Sequence, residues 1–358
     1  MVATGGVAIA AFAIGASLGD GSGATPGPAS RLPPSQLAGQ RIVAGFSGRE
    51  APGPVKRMIR RGELAGVILF SANLPDRAGA RRLVRRLQVI PRPPGLRDPL
   101  LIMVDQEGGL VKRLPGPPVV SAEQMGRRGA AFSRRQGRAT ASSLRDVGIG
   151  VDLAPVLDVA RPGGAIAETE RGFGSTASRV VATALPFAAG LREGGVAATA
   201  KHFPGLGAAR ENTDFAVQRI DLSRRALRAV DEAPYRRFVE QGGTMVMLST
   251  AIYPAFSPRP AAFARPIATG ELRARLDFEG VSITDALESA AVRAFGGPAK
   301  AAVVAARAGT DLLLFADFRA AAKARRALVE GLRDGRLDRA GLERSVERTL
   351  DLRRDFAR

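Results

Sequence analysis

The sequence predicts an α/β fold of the (β/α)8 barrel type in a single domain, and three observations carry that prediction. Short apolar runs recur along the chain, Arg/Ala-rich stretches of helical length separate them, and polar residues capable of chemistry collect where several runs end. Continuous apolar runs without strict alternation suit strands buried on both faces. Eight strand–helix units in roughly 320 residues match the barrel in count and length. A doubly wound sheet competes, but eight evenly spaced units favour closure.

In chain order the runs are Arg41–Phe46, Gly66–Phe70, Leu100–Val104, Gly150–Ala154, Val196–Lys201, Thr244–Ser249, Gly280–Thr284 and Asp311–Phe315. Helices are predicted between them at Arg49–Arg61, Ala78–Gln88, Ala122–Asp146, Ala177–Glu193, Leu222–Gln241, Ala286–Ala308 and Ala320–Glu330. Gly66, Gly150, Gly195 and Gly280 stand where each can close the preceding helix. Ahead of the barrel, residues 2–19 are uncharged and rich in Ala, Val and Ile, and Gly19–Pro34 is rich in Gly, Ser and Pro. An apolar run followed by a small-residue linker reads as an export signal or a short membrane anchor, with a disordered tail on a cytoplasmic protein as the alternative. The chain thus divides into residues 1–34, signal or anchor plus linker, and residues 35–358, the barrel.

Composition narrows the chemistry. The 358 residues hold one His, no Cys and no Trp, which excludes disulfides, thiolate metal sites, a cysteine nucleophile and His-pair metal motifs. Acid–base work falls to Asp, Glu, Lys or Tyr, and no metal or organic cofactor is expected. The formal charge of +19 invites a nucleic-acid reading, but the Arg residues are spread along the chain and aromatics are few, so no specific nucleic-acid partner is expected. A basic surface equally suits an anionic envelope.

A barrel places its chemistry just after the strand ends. Asp105 follows the third run, Asp158 lies shortly after the fourth, Lys201 and His202 end the fifth, and Asp285 ends the seventh. Any one of these taken alone is more often a helix N-cap or a salt bridge; four on four strands point to a site. VDQEGGLVKR (Val104–Arg113) sets Asp105 and Glu107 before a turn-permitting Gly pair. KHFPG (Lys201–Gly205) puts the single His beside a Lys, where a neutral, hydrogen-bonding imidazole is plausible. In SITDALES (Ser282–Ser289), Asp285 could be a nucleophile, a base or only a helix cap.

These motifs, with DLAPVLDV (Asp152–Val159) and ERGFGS (Glu170–Ser175), resemble glycoside hydrolase family 3, most closely its single-barrel β-N-acetylhexosaminidase branch. The similarity runs from about Gln36 to Phe315 in the same order. It implies that Asp285 is the catalytic nucleophile and that Asp105, Arg171, Lys201 and His202 hold the hydroxyls of a terminal sugar. Glu107 and Arg113 are expected to shape or charge-balance their loop. The branch usually carries an Asp-x-His acid/base pair after KHFPG; here the loop reads LGAARENTDFAV (Leu206–Val217), with Asn212 and Asp214 at those places. Asp214, or alternatively Glu211, is then the candidate acid/base; an acid-independent transfer to an external acceptor, or lost catalysis, are the other readings. The expectation is a retaining exo-glycosidase removing terminal β-linked sugars, N-acetylglucosamine from cell-wall glycans first among them. A catalytically silent glycan-binding barrel at the envelope is the alternative.

Overall fold

The computed structural model describes residues 27–356, so the apolar segment 2–19 and its signal or anchor reading lie outside the described residues. Eight parallel strands occupy the eight predicted runs: β1 (Ile42–Ala44), β2 (Gly66–Ile68), β3 (Leu101–Val104), β4 (Val151–Asp152), β5 (Ala197–Phe203), β6 (Met245–Leu248), β7 (Val281–Thr284) and β8 (Leu313–Phe315). Each pairs with its neighbours in chain order, and β8 pairs with β1 through Ile42 and Leu313. Between β7 and β8 the ring closes through a bridge from Ile283 to Leu312, whose N–H donates to Ser282 O at 2.8 Å.

Strand residues alternate between two cores, as the period of two requires. Leu101, Met103, Met245, Met247, Val281, Ile283 and Leu314 fill the barrel interior. Ile102, Val104, Val246, Leu248, Leu313 and Phe315 face the helices outside. Carried one step past the strand ends, the same alternation aims positions 105 and 285 inward, since they continue the rows 101–103 and 281–283.

The helix Ala177–Glu193 matches its predicted limits, and Phe318–Arg333 starts where the Asp317 carboxylate caps it. Others break at residues that helices tolerate poorly. Ala122–Asp146 divides at Gly129 into Ala122–Arg128 and Ala130–Asp146. Ala286–Ala308 divides around Gly296 into Ala290–Arg293 and Gly297–Ala308. Within Leu222–Gln241, Pro234 has no N–H to return to the preceding turn, and a π turn at Leu227–Asp231 precedes Ala233–Glu240.

One helix unanticipated in the sequence, Arg339–Asp355, crosses the N-terminal end of the barrel, where Leu352 joins the interior core and Phe356 packs against it. The wholly buried Arg353 fixes it there, donating to Pro99 O and Leu96 O, both at 2.9 Å, and to Gln40 Oε1. Burial lowers the Arg353 pKa to about 10, so the cation persists at neutral pH. Replacing it with leucine leaves those acceptors buried and unpaired, with an expected loss of about 3–5 kcal/mol in denaturant unfolding. The folded part also begins ahead of residue 35: Ala29 and Leu32 are buried, and Ala29 N–H donates to Glu347 Oε1 at 2.7 Å. Among the described residues no helix is long and apolar enough to cross a membrane.

Candidate active site

A cavity of about 410 Å³ opens at the C-terminal ends of the strands, above the interior core that Ile68, Met247 and Leu314 also help to form. Asp105, Arg171, Lys201, His202, Asp214 and Asp285 all line it. Six of the seven residues expected to be catalytic or sugar-holding therefore converge. Glu211 does not: it is exposed and outside the cavity lining, its N–H donating to Gln218 Oε1 at 3.3 Å. The loop reverses direction between Glu211 and Asp214, so nearness in sequence did not carry both carboxylates to the mouth.

One side of the cavity is an ion network. Lys201 Nζ lies 2.8 Å from Asp105 Oδ1 and 2.7 Å from Glu107 Oε1, and Arg171 grips Glu107 with two bonds of 2.8 Å each. Burial alone would push the Glu107 carboxyl up; Arg171 and Lys201 outweigh it and hold it well below the usual carboxylate range. Lys201 likewise loses water to burial, yet Asp105 and Glu107 raise its pKa and keep it charged. Asp152 is wholly buried, and loss of water pushes its carboxyl up while the Gln106 N–H and Lys201 oppose that rise. Glu107 is thus the centre of the network and far more than a loop counter-charge.

This network makes a sign-specific prediction about acid stability. A carboxyl depressed by folding adds stability that is complete above its unfolded pKa of about 4.5 and drains away as pH falls towards the folded value. Melting temperature should decline below about pH 4.5 in the native protein. In Glu107→Gln that decline should be shallower, from a lower plateau, as Lys201 and Arg171 lose their shared partner.

His202 is held from behind. Asp158, wholly buried, accepts from His202 Nδ1 at 2.7 Å, from His202 N–H at 3.0 Å and from Leu206 N–H at 2.7 Å. With Nδ1 donating to a carboxylate, Nε2 is the imidazole edge left for a ligand. The glycines of the motifs are steric requirements. A Cβ at Gly207 would stand 1.9 Å from Val159 O, and one at Gly108, where φ is 98°, 2.3 Å from Val120 O.

Asp285 and Asp214 line the same cavity. Asp285 Oδ1 accepts from Ala286 N–H at 2.7 Å, which orients the carboxylate. Asp214 arrives on the loop after β5, tied down by Ala290 N–H donating to Asp214 O at 3.1 Å and by the Asn212 amide donating to its Oδ2 at 3.2 Å. Asp214 is exposed as a residue, yet its carboxyl is raised, first by partial loss of water at the cavity lining and next by the charge of Asp285. Arg113, Phe70 and Glu288 also line the cavity. Arg113, 3.9 Å from Asp105 Oδ2, was assigned only to its loop from the sequence, and Phe70 offers an aromatic edge that no motif marked. Among the described residues no group of three or more His, Asp or Glu could hold a metal ion.

Two carboxylates sharing a barrel-mouth cavity with a cluster of charged side chains fit the equipment of a glycoside hydrolase. The comparisons narrow that class. Residues 45–352 match the glycosyl hydrolase family 3 N-terminal domain, and the chain belongs to that family. It is 37% identical over 299 residues to an uncharacterized secreted glycosyl hydrolase of Arthroderma benhamiae, covering 81% of this chain and 84% of the relative. The structure of a family 3 β-N-acetylglucosaminidase from Paenibacillus sp. str. FPU-7 superposes with a TM-score of 0.87 at 34% identity, over 91% of this chain and 63% of that one. This chain therefore spans less than two thirds of the Paenibacillus protein. A β-N-acetylhexosaminidase from Beutenbergia cavernae gives a TM-score of 0.84 at 31% identity, over 90% of this chain and 98% of its own length. The protein is a β-N-acetylhexosaminidase-like glycoside hydrolase of this family.

Proposed function

We propose that the chain is a retaining exo-glycosidase that removes a terminal β-linked N-acetylglucosamine from cell-wall glycans, with Asp285 as nucleophile and Asp214 as acid/base. The observation that supports this most is the meeting of Asp214 and Asp285 in one cavity that Asp105, Arg171, Lys201 and His202 also line. In the first step the Asp285 carboxylate attacks the anomeric carbon while Asp214 gives its proton to the departing glycosidic oxygen. In the second, Asp214 takes a proton from water, which displaces Asp285 and regenerates both groups. The raised Asp214 carboxyl favours the protonated form that the first step needs. A cavity of about 410 Å³ suits one sugar ring, which favours trimming from chain ends. Export to the envelope, with residues 35–358 as the catalytic barrel, accords with the secreted description of the Arthroderma relative. The test is a panel of p-nitrophenyl β-glycosides with the full chain. Preferred turnover of the N-acetylglucosaminide, with the β-anomer released first, supports the reading; preference for another sugar, or first release of the α-anomer, overturns it.

A further inference from the structure

The opposite end of the barrel carries a second, larger cavity, of about 620 Å³, lined by Arg265, Arg273, Arg307, Arg336, Arg344 and Arg348. It lies where β7 and β8 begin: Arg273 donates to Gly280 O just before β7, and Arg348 donates to Asp311 Oδ1 at 2.6 Å just before β8. The catalytic carboxylates stand at the other ends of these strands. Three carboxylates meet the six guanidinium groups. Asp311 serves both Arg273 and Arg348, Asp334 pairs with Arg336 at 2.7 Å, and Asp338 lies 3.9 Å from Arg344. Arg265 and Arg307 pair with no carboxylate among the described residues, and both are exposed. Arg273 Nε is buried without an acceptor, and Ser345 adds a buried hydroxyl to the lining.

We propose that this cavity is a binding site for a phosphate-bearing polyanion, separate from the sugar pocket. Planar guanidinium forks match pairs of phosphate oxygens and remain charged at any physiological pH. The surplus of cations over carboxylates calls for a ligand with more than one negative charge, and the volume exceeds what one phosphate needs. Several phosphates in a row meet both conditions. Such a ligand is either a free polyphosphate or the phosphodiester backbone of a surface polymer, and in the second case the site would tether the barrel with its catalytic mouth facing away from the polymer.

The test is calorimetric titration of the full chain with tripolyphosphate at low ionic strength, where charge contacts are least screened. Saturable binding at one site per chain is expected, about tenfold weaker in Arg265→Ala/Arg307→Ala. Neither side chain holds a partner in the fold, so the double variant should keep its melting temperature and its glycosidase turnover. A control, Arg82→Ala/Arg85→Ala, removes two exposed arginines from the remote helix Arg77–Gln88 at the same cost in net charge and should bind as the parent does. Equal weakening in both double variants, or no saturable binding by the parent, overturns the proposal. Competition by a poly(glycerol phosphate) oligomer would assign the site to a phosphodiester polymer; competition by inorganic polyphosphate alone would assign it to the free anion.

Discussion

Asp285→Ala should lower kcat on a p-nitrophenyl β-glycoside by a factor on the order of 10⁴–10⁶, the scale seen when a covalent nucleophile is removed. The fold should survive, because the side chain is only partly buried and its one side-chain hydrogen bond is to Ala286 N–H. Melting temperature is therefore the control, and an unchanged value beside lost turnover separates chemistry from misfolding. Added azide supplies the distinguishing product. With the carboxylate gone, azide can attack from the face Asp285 occupied and give the α-glycosyl azide from an activated substrate. Near-parental turnover in the variant would remove Asp285 from the mechanism.

The second expected effect depends on the leaving group. Asp214→Ala should cost roughly 10²–10⁴-fold on substrates with a poor leaving oxygen, the usual worth of a general acid. A dinitrophenyl glycoside, which departs without a proton, should lose far less in its first step. Azide should then intercept the glycosyl-enzyme and yield the β-glycosyl azide, the opposite anomer to that from the Asp285 variant. The pH profile offers an independent reading. As the proposed acid, Asp214 would have to be protonated for the first step, so kcat/KM should fall on the alkaline side as its raised carboxyl ionises. That limb should flatten in Asp214→Asn. Equal losses on good and poor leaving groups, with the alkaline limb intact, would place the acid elsewhere.

The barrel was legible because its strands are buried on both faces and read as unbroken apolar runs. LIMV at Leu101–Val104 and GVSIT at Gly280–Thr284 leave little room for another assignment. Helix breaks were harder: Arg/Ala-rich composition continues smoothly across Gly129, so a single glycine among strong helix formers carried too little weight. The helix Arg339–Asp355 does repeat apolar residues at Leu342, Val346 and Leu350, but this sparse stripe amid Arg, Asp and Glu went unread, and Leu352, which joins the interior core, lies off it. Strand-end position singled out Asp105, Lys201 and Asp285, which the fold brings to one cavity. The partnership of Asp158 with His202, 44 positions apart, needed the parallel packing of β4 and β5. Arg171 and Glu107 join across 64 positions in the same way, which is why Glu107 read as a loop residue.

The sealed end of the barrel has a consequence for how a polymer would be consumed. Leu352 and Phe356 pack against the interior core, and the catalytic-end cavity rests on the other side of that core, on Ile68, Met247 and Leu314. The pocket is consequently a blind alley with one entrance. Under the proposed exo-cleavage, a freed monosaccharide would back out the way it came before the shortened chain re-entered, so degradation should be distributive, with every chain in a mixture losing one unit before any loses many.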